Sequence, residues 1–360
     1  MNSVPVFKKG IKIMDLKTDN SAIADESKYK YKRILTGDRP TGPLHLGHYA
    51  GSLKNRIMLQ SKYETFILIA DVQALTTNFE HPEKLKENIF LVALDYLSAG
   101  IDPKISTIAI QSMIPEISEL TTFFSMLVSV NPLRHNPTIK TEAKERGYKE
   151  LTYGFLGYPV SQTADIAVFK ADLVPVGIDQ LPHIEIARKI VRKFNELYCG
   201  KLIEPFALIG ESPKLVGLDG NLKMSKSYGN AINLSDDFDS VKNKIKSAIT
   251  DKNRIHPTDK GNPDICTIYS YHNAFSGGVL IKETEYDCKN GKIGCVKCKE
   301  NLFEVIKALL EPMNERRAYY LKNKDEIWDI LFAGTKKAKI TASETIKEVK
   351  ESMKILYPPI

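Results

Sequence analysis

The chain has 360 residues, 42% hydrophobic and 26% charged, a balance typical of a soluble globular protein with core enough for one large domain or two ordinary ones. No apolar run approaches the ~18–20 residues that a membrane span needs, which excludes a spanning helix. The net charge of +7 admits a polyanionic partner without demanding one. Residues 1–30 lack the apolar core of a signal peptide, and Asp15, Asp19, Asp25 and Glu26 speak against an Arg-rich transit peptide. They are expected to be a polar extension ahead of a cytoplasmic protein.

In chain order, an apolar triplet (Arg33, Ile34, Leu35) runs through a Gly/Pro-rich turn into a helical pattern near Leu46. Residues 65–70 predict a buried strand ending at Asp71, and residues 82–99 a helix with Leu85, Ile89, Val92, Ala93 and Tyr96 on one face. A strand over 106–110, a helix over 116–128, a strand over 173–176 and a helix over 180–198 started by Asp179 follow. Such alternation predicts an α/β fold, a parallel sheet with helices on both faces. Ligands then sit beyond the carboxyl ends of the strands, where the glycine turn, Asp71 and residues 177–180 all fall. Beyond about residue 230 the text becomes Lys/Glu/Asp-rich with helical periodicity over 240–249, 302–310, 315–322 and 341–357, predicting a second, mostly helical domain.

Residues 36–49 place a strand end, glycines and a helix start together, a seat for an anion such as phosphate. His45 and His48 stand one turn apart there and can donate to phosphate oxygens. Taken alone, a turn with a satisfied histidine pair explains the stretch equally well, and a metal site lacks a third ligand. A loop of Lys223, Met224, Ser225, Lys226 and Ser227 lies between glycines. Its two lysines can close as a mobile clamp over a triphosphate as charge develops at phosphorus. A single Lys/Ser loop is usually solvated surface; the order of the two motifs around a parallel sheet argues for chemistry.

His45-Leu46-Gly47-His48 and residues 223–227 resemble the HIGH and KMSKS motifs of class I aminoacyl-tRNA synthetases. Residues 36–53, 158–180 and 223–233 together resemble the bacterial-type tryptophanyl-tRNA synthetases. The resemblance implies a Rossmann-type catalytic domain over residues 31–228 and a helical anticodon-binding domain over 229–360. It implies activation of L-tryptophan by ATP with a magnesium ion, transfer to tRNA(Trp), and a homodimer. By the same resemblance His45 and His48 line the phosphates, Gly47 lets the nucleotide approach the backbone, and Lys223 and Lys226 hold the pyrophosphate oxygens, with Met224, Ser225 and Ser227 completing their loop. Arg39, Pro40 and Thr41 match the ATP-contacting turn, although glutamine is common where Arg39 stands. Gly177, Ile178, Asp179 and Gln180 match a segment that usually reads Gly-Glu-Asp-Gln, so only backbone contact is expected at Ile178. Asp165 matches the acceptor of the indole N–H, and Tyr158 and Gln180 the α-amino site. Gln73 and Gln162 stand where many relatives have His and Met. Tyrosyl-tRNA synthetase is the alternative; its archaeal-type members place a tyrosine where Leu35 stands. A small-molecule adenylyltransferase would not need the basic helical part, and a non-catalytic RNA-binding paralogue would be expected to have lost His48, Lys226 or Asp165.

Cys266-x21-Cys288-x6-Cys295-x2-Cys298 places four of the five cysteines in the helical part, a set suited to tetrahedral sulfur ligation of zinc or an iron–sulfur cluster. Some bacterial tryptophanyl-tRNA synthetases carry a four-iron, four-sulfur cluster on nearly this spacing, so a cluster is expected, with zinc or an empty thiol set as alternatives. Lys289, Lys292, Lys297 and Lys299 around them suit an RNA backbone or are plain solvated lysines.

Overall fold

The computed structural model describes residues 23–24, 32–209, 215–221, 224 and 229–358. β1 (Arg33–Asp38) leads into α1 (Leu46–His48) and α2 (Lys54–Leu59), and β2 (Glu64–Ile69) into α3 (Asp71–Asn78) and α4 (Leu85–Ala99). β3 (Ser106–Ile110) precedes α5 (Pro115–Ser125), α6 (Val130–His135), α7 (Pro137–Glu145) and α8 (Tyr153–Val168). β4 (Leu173–Val176), α9 (Leu181–Tyr198) and β5 (Phe206–Ile209) finish the sheet. The helices α10 (Phe238–Ser247), α11 (Thr267–Phe275), α12 (Gly278–Lys289), α13 (Cys295–Lys322) and α14 (Lys324–Ser352) follow.

The described strands form one parallel sheet in the order β3-β2-β1-β4-β5. β3 is buried at every position and β2 at all but its first, as in a parallel sheet covered on both faces. Winding reverses between β1 and β4, and a crevice opens at their carboxyl ends. The expected strands over 65–70, 106–110 and 173–176 are β2, β3 and β4. The helix over 82–99 is a 3-10 turn (Pro82–Lys84) followed by α4. The helix expected over 180–198 starts one residue later, and Asp179 does not cap it: its carboxylate accepts from Gln180 Nε2 at 2.9 Å instead. The two helices read over 302–310 and 315–322 are one continuous α13, which passes through Pro312 without a break.

Two apolar clusters of the described residues run from the sheet into the helices beyond 229. One apolar cluster joins Leu44, Leu46 and Ile67 to Leu302, Leu310 and Leu331. Another joins Leu35 and Phe66 to Ala338, Ala342 and Val349. The amide of Ile110 at the end of β3 donates to Thr335 Oγ1 of α14 at 3.0 Å. Of the N-terminal extension only Ile23 and Ala24 are described, and Ala24 N donates to Ala207 O at 2.9 Å on β5. Among the described residues no helix is long and apolar enough to cross a membrane.

Candidate active site

β1 reaches the crevice by packing its backbone tightly on β2. A Cβ at Gly37 would lie 2.1 Å from the carbonyl oxygen of Leu68, so no side chain fits there. The next residue, Asp38, is held by Arg56: Nη1 lies 2.5 Å from Oδ2 and Nη2 3.1 Å from Oδ1. Tyr96 donates its hydroxyl to Oδ2 at 2.7 Å. Burial alone would raise the Asp38 pKa, but the charge and hydrogen bonds of Arg56 bring it down to about 2. This network, which fixes the strand end under the turn, was not anticipated from the sequence.

The turn then delivers the two histidines. His45 caps α1, its Nδ1 accepting from Gly47 N at 3.1 Å, and His48 Nδ1 accepts from the His45 amide at 3.2 Å. The ring centroids are 3.8 Å apart. With Nδ1 engaged as acceptor, the proton of each neutral ring belongs on Nε2, the form able to donate to a phosphate oxygen. A five-residue π-helical stretch, Tyr49–Leu53, joins α1 to α2. A polar cavity of about 230 Å³ beside the pair is lined by Asp38, Arg39, Thr41, Gly42, Leu44 and His48. Pro40 is buried behind it and Thr41 N donates to Arg39 O at 2.8 Å.

The segment after the lysine loop is stitched to this turn. Leu46 N donates to Ile232 O at 2.9 Å, Leu234 N to Leu44 O at 3.0 Å, and His45 bridges Asn233 antiparallel. A Cβ at Gly47 would meet Met224 Sδ at 3.1 Å, so this methionine lies over the first motif. Lys223, Ser225, Lys226 and Ser227 lie outside the described residues.

A cavity of about 400 Å³ fills the crevice between β1 and β4. Leu35, Gln73, Tyr158, Gln162, Asp165, Gly177 and Gln180 line it together with Asp38 and Arg39. Ile178 and Asp179 form the adjoining 3-10 turn, with Ile178 exposed. Asp165, only 5% exposed, accepts from Gln111 Nε2 at 2.7 Å and from Gln73 Nε2 at 3.4 Å. Burial pushes its pKa up to about 7 against those bonds, and the nearby charge of Asp71 adds to the rise. Gln111 stands immediately after β3. The rule that strand ends hold ligands could have singled it out; nothing in local spacing does. The Tyr158 hydroxyl lies 2.9 Å from His183 Nε2. Arg39 Nη2 donates to Glu142 Oε1 of α7 at 3.0 Å.

Far from this crevice, Cys266, Cys288, Cys295 and Cys298 line one small cavity together with Arg254, whose Nη1 lies 3.9 Å from both Cys288 Sγ and Cys295 Sγ. Burial and the neighbouring thiols push the Cys298 thiol up to about 12. Among the described residues no three His, Cys, Asp or Glu side chains are grouped to hold a metal ion, so the four expected sulfur ligands share a cavity without forming the ligand group expected for a cluster or for zinc.

The family model for "tRNA synthetases class I (W and Y)" matches residues 28–311. A tryptophan–tRNA ligase of Clostridium longisporum is 49% identical over 332 residues, 90% of this chain and 97% of that protein. One from Streptococcus pyogenes serotype M1 is 48% identical, covering 90% of this chain and 98% of its own. The crystal structure of the Campylobacter jejuni tryptophanyl-tRNA synthetase complexed with ADP and tryptophan superposes with a TM-score of 0.78 at 32% identity, over 89% of this chain and 99% of that one. With that parallel sheet, that crevice and that motif pair, the chain belongs to the tryptophan–tRNA ligases among the class I tRNA synthetases.

Proposed function

We propose that the chain activates L-tryptophan with ATP and transfers it to tRNA(Trp) in the crevice between β1 and β4. The observation that carries the choice of amino acid is the Asp165 carboxylate, buried in the 400 Å³ cavity and oriented by Gln111 and Gln73. An indole N–H supplies the donor that this acceptor needs. A phenylalanine ring would leave the carboxylate one donor short, beyond those of Gln111 and Gln73, a mismatch that can cost ~10⁴-fold in sites built to hydrogen-bond. Leu35, buried and lining the same cavity, offers no partner to a phenol hydroxyl.

In the first step a tryptophan carboxylate oxygen attacks the α-phosphorus of ATP, the bond to the β-phosphate oxygen breaks, and pyrophosphate leaves with that electron pair. Positioning and charge stabilisation suffice, with no protein nucleophile. His45 and His48 donate to phosphate oxygens from Nε2; Arg39, Pro40 and Thr41 form the wall of the phosphate cavity; Gly47 and Gly177 bring backbone close to the nucleotide, with Ile178 and Asp179 beside it. Lys223 and Lys226, with Met224, Ser225 and Ser227, close over the pyrophosphate, which carries a magnesium ion. Tyr158 and Gln180 receive the α-amino group. In the second step the 2′-hydroxyl oxygen of the terminal adenosine forms an ester bond to the carbonyl carbon, the bond from that carbon to the phosphate oxygen breaks, and AMP leaves with the electron pair, its phosphate taking up the hydroxyl proton. The helical part beyond 229 binds the anticodon arm.

The four cysteines share a cavity yet are not grouped around one ion. Four thiols at this spacing are a donor set of the kind that holds a four-iron, four-sulfur cluster, and the shared cavity is what supports that reading over scattered cysteines. Bound there, such a cluster would brace α12 and α13. A homodimer in the cytoplasm completes the reading: Val72, Val130 and Tyr153 are exposed around an apolar cavity of about 260 Å³ that also touches Gln73 and Tyr158, a face suited to a second copy. ATP–pyrophosphate exchange across a panel of amino acids tests the function. Tryptophan is expected to be fastest; faster exchange with tyrosine would overturn the assignment.

A further inference from the structure

Between the ATP-side turn and the amino-acid cavity lies a carboxylate that no motif predicts. Glu142 sits on α7, a helix whose start is capped by Asn136 accepting from the amides of Thr138 and Ile139. Ile139 is fully buried, and Thr138 Oγ1 donates to Asp179 O at 3.1 Å, so α7 is tied to the segment that carries Gln180. Glu142 accepts from Arg39 at 3.0 Å, with Arg146 Nε 3.6 Å away. Tyr158 stands close enough for the two to act on one another electrostatically, the carboxylate raising the phenol's pKa. Arg39, Thr138, Glu142, Tyr158 and Gln180 all line the one cavity.

The Tyr158 hydroxyl lies 2.9 Å from His183 Nε2. Burial lowers the His183 pKa to about 4, in keeping with a neutral ring, so His183 adds no positive charge beside the subsite. An ionised Glu142 carboxylate can only accept, which is what an incoming ammonium requires.

We propose that Glu142 is the carboxylate of the α-ammonium subsite beside Tyr158 and Gln180, and that Arg39, which lines both this cavity and the phosphate cavity, links the subsite to ATP by exchanging Glu142 for the triphosphate. While Arg39 sits on Glu142 the carboxylate's charge is neutralised locally. Once Arg39 turns to phosphate oxygens, that charge faces the ammonium, so bound nucleotide tightens tryptophan. The inference rests on the tryptophan- and ATP-binding reading of the crevice given above.

Isothermal titration with L-tryptophan and with indole-3-propionate, which lacks the amino group, tests it, each with and without a non-hydrolysable ATP analogue. In the unaltered protein the analogue is expected to tighten tryptophan several-fold and to leave indole-3-propionate within twofold. Glu142→Gln should weaken tryptophan about tenfold in the presence of the analogue, abolish the tightening, and leave indole-3-propionate within twofold. Glu142→Asp, which keeps the charge, should recover part of the loss. Equal weakening of both ligands in Glu142→Gln, or tightening that persists there, would overturn the proposal. A wild-type protein that binds neither ligand would refute the tryptophan site itself, a separate failure visible before any variant is made.

Discussion

Asp165→Asn separates the stability cost of the specificity carboxylate from its use. The folded chain holds the Asp165 proton up to about pH 7, against an ordinary value of 3.8. A carboxyl whose pKa is raised by folding contributes stability that is complete below about pH 4 and is lost as pH rises through about 7. The rise from 3.8 to about 7, at about 1.36 kcal/mol for each tenfold change in proton affinity, corresponds to roughly 4 kcal/mol. Asparagine does not titrate, so the stability of Asp165→Asn relative to wild type should climb by about 4 kcal/mol between pH 4 and pH 8. The assay is urea unfolding followed by the fluorescence of Trp328, the chain's single tryptophan, at pH 4, 6 and 8. The same variant should lose about 10–100-fold in kcat/KM for tryptophan at pH 8, the worth of a hydrogen bond to a charged acceptor. A stability difference between the two proteins that is flat across pH would refute the account of Asp165 as a desolvated carboxylate.

Arg56→Met leaves Asp38 without its cation and should cost about 3–5 kcal/mol, with Arg56→Met/Asp38→Asn recovering part of it; chemical denaturation of both variants decides. Because the Asp38 pKa is lowered to about 2, its contribution is present above about pH 4 and lost as pH falls toward 2, so the penalty of Arg56→Met should shrink in acid. Gly37→Ala drives a methyl into the Leu68 carbonyl and should cost at least about 1–3 kcal/mol; wild-type thermal stability in that variant would show that β1 and β2 are less tightly packed than they are here. Protein purified without oxygen should absorb at roughly 400 nm and contain iron, as thiolate-ligated clusters do, and Cys298→Ser should lose both; iron-free protein with four reactive thiols would refute the cluster.

Four of the five described strands were legible because each is a short apolar run bounded by turn residues, while β5 (Phe206–Ile209), four residues at the sheet edge, was not read; the crevice was legible because a parallel sheet binds ligands at its strand ends. α8 was not legible as a helix: Gly154, Gly157 and Pro159 break its composition, yet it runs from Tyr153 to Val168 with Pro159 inside because its buried face packs on α5 and α9. The residues that tune the site were hidden for a different reason. Gln111 reaches Asp165 across 54 positions of sequence, Arg56 reaches Asp38 across 18, and Arg39 reaches Glu142 across 103. Motifs record side chains that act together because they are adjacent in the chain; these act together because the fold makes them adjacent.

That distinction also bears on the helical part. Ile110, whose amide α14 receives at Thr335, immediately precedes Gln111, the donor that orients Asp165. The strand end that fixes the specificity carboxylate is thus pinned from a helix that composition alone assigned to another domain. On the other side, Arg316 of α13 donates to Ser98 O at the end of α4, and its charge acts on Tyr49, the residue after His48. A helix that buried its apolar face only against its own neighbours could shift as a body without disturbing the crevice. Helices that complete both cores and hold backbone groups of β3 and α4 cannot, so the geometry around Asp165 and His48 depends on α13 and α14 as well as on the sheet.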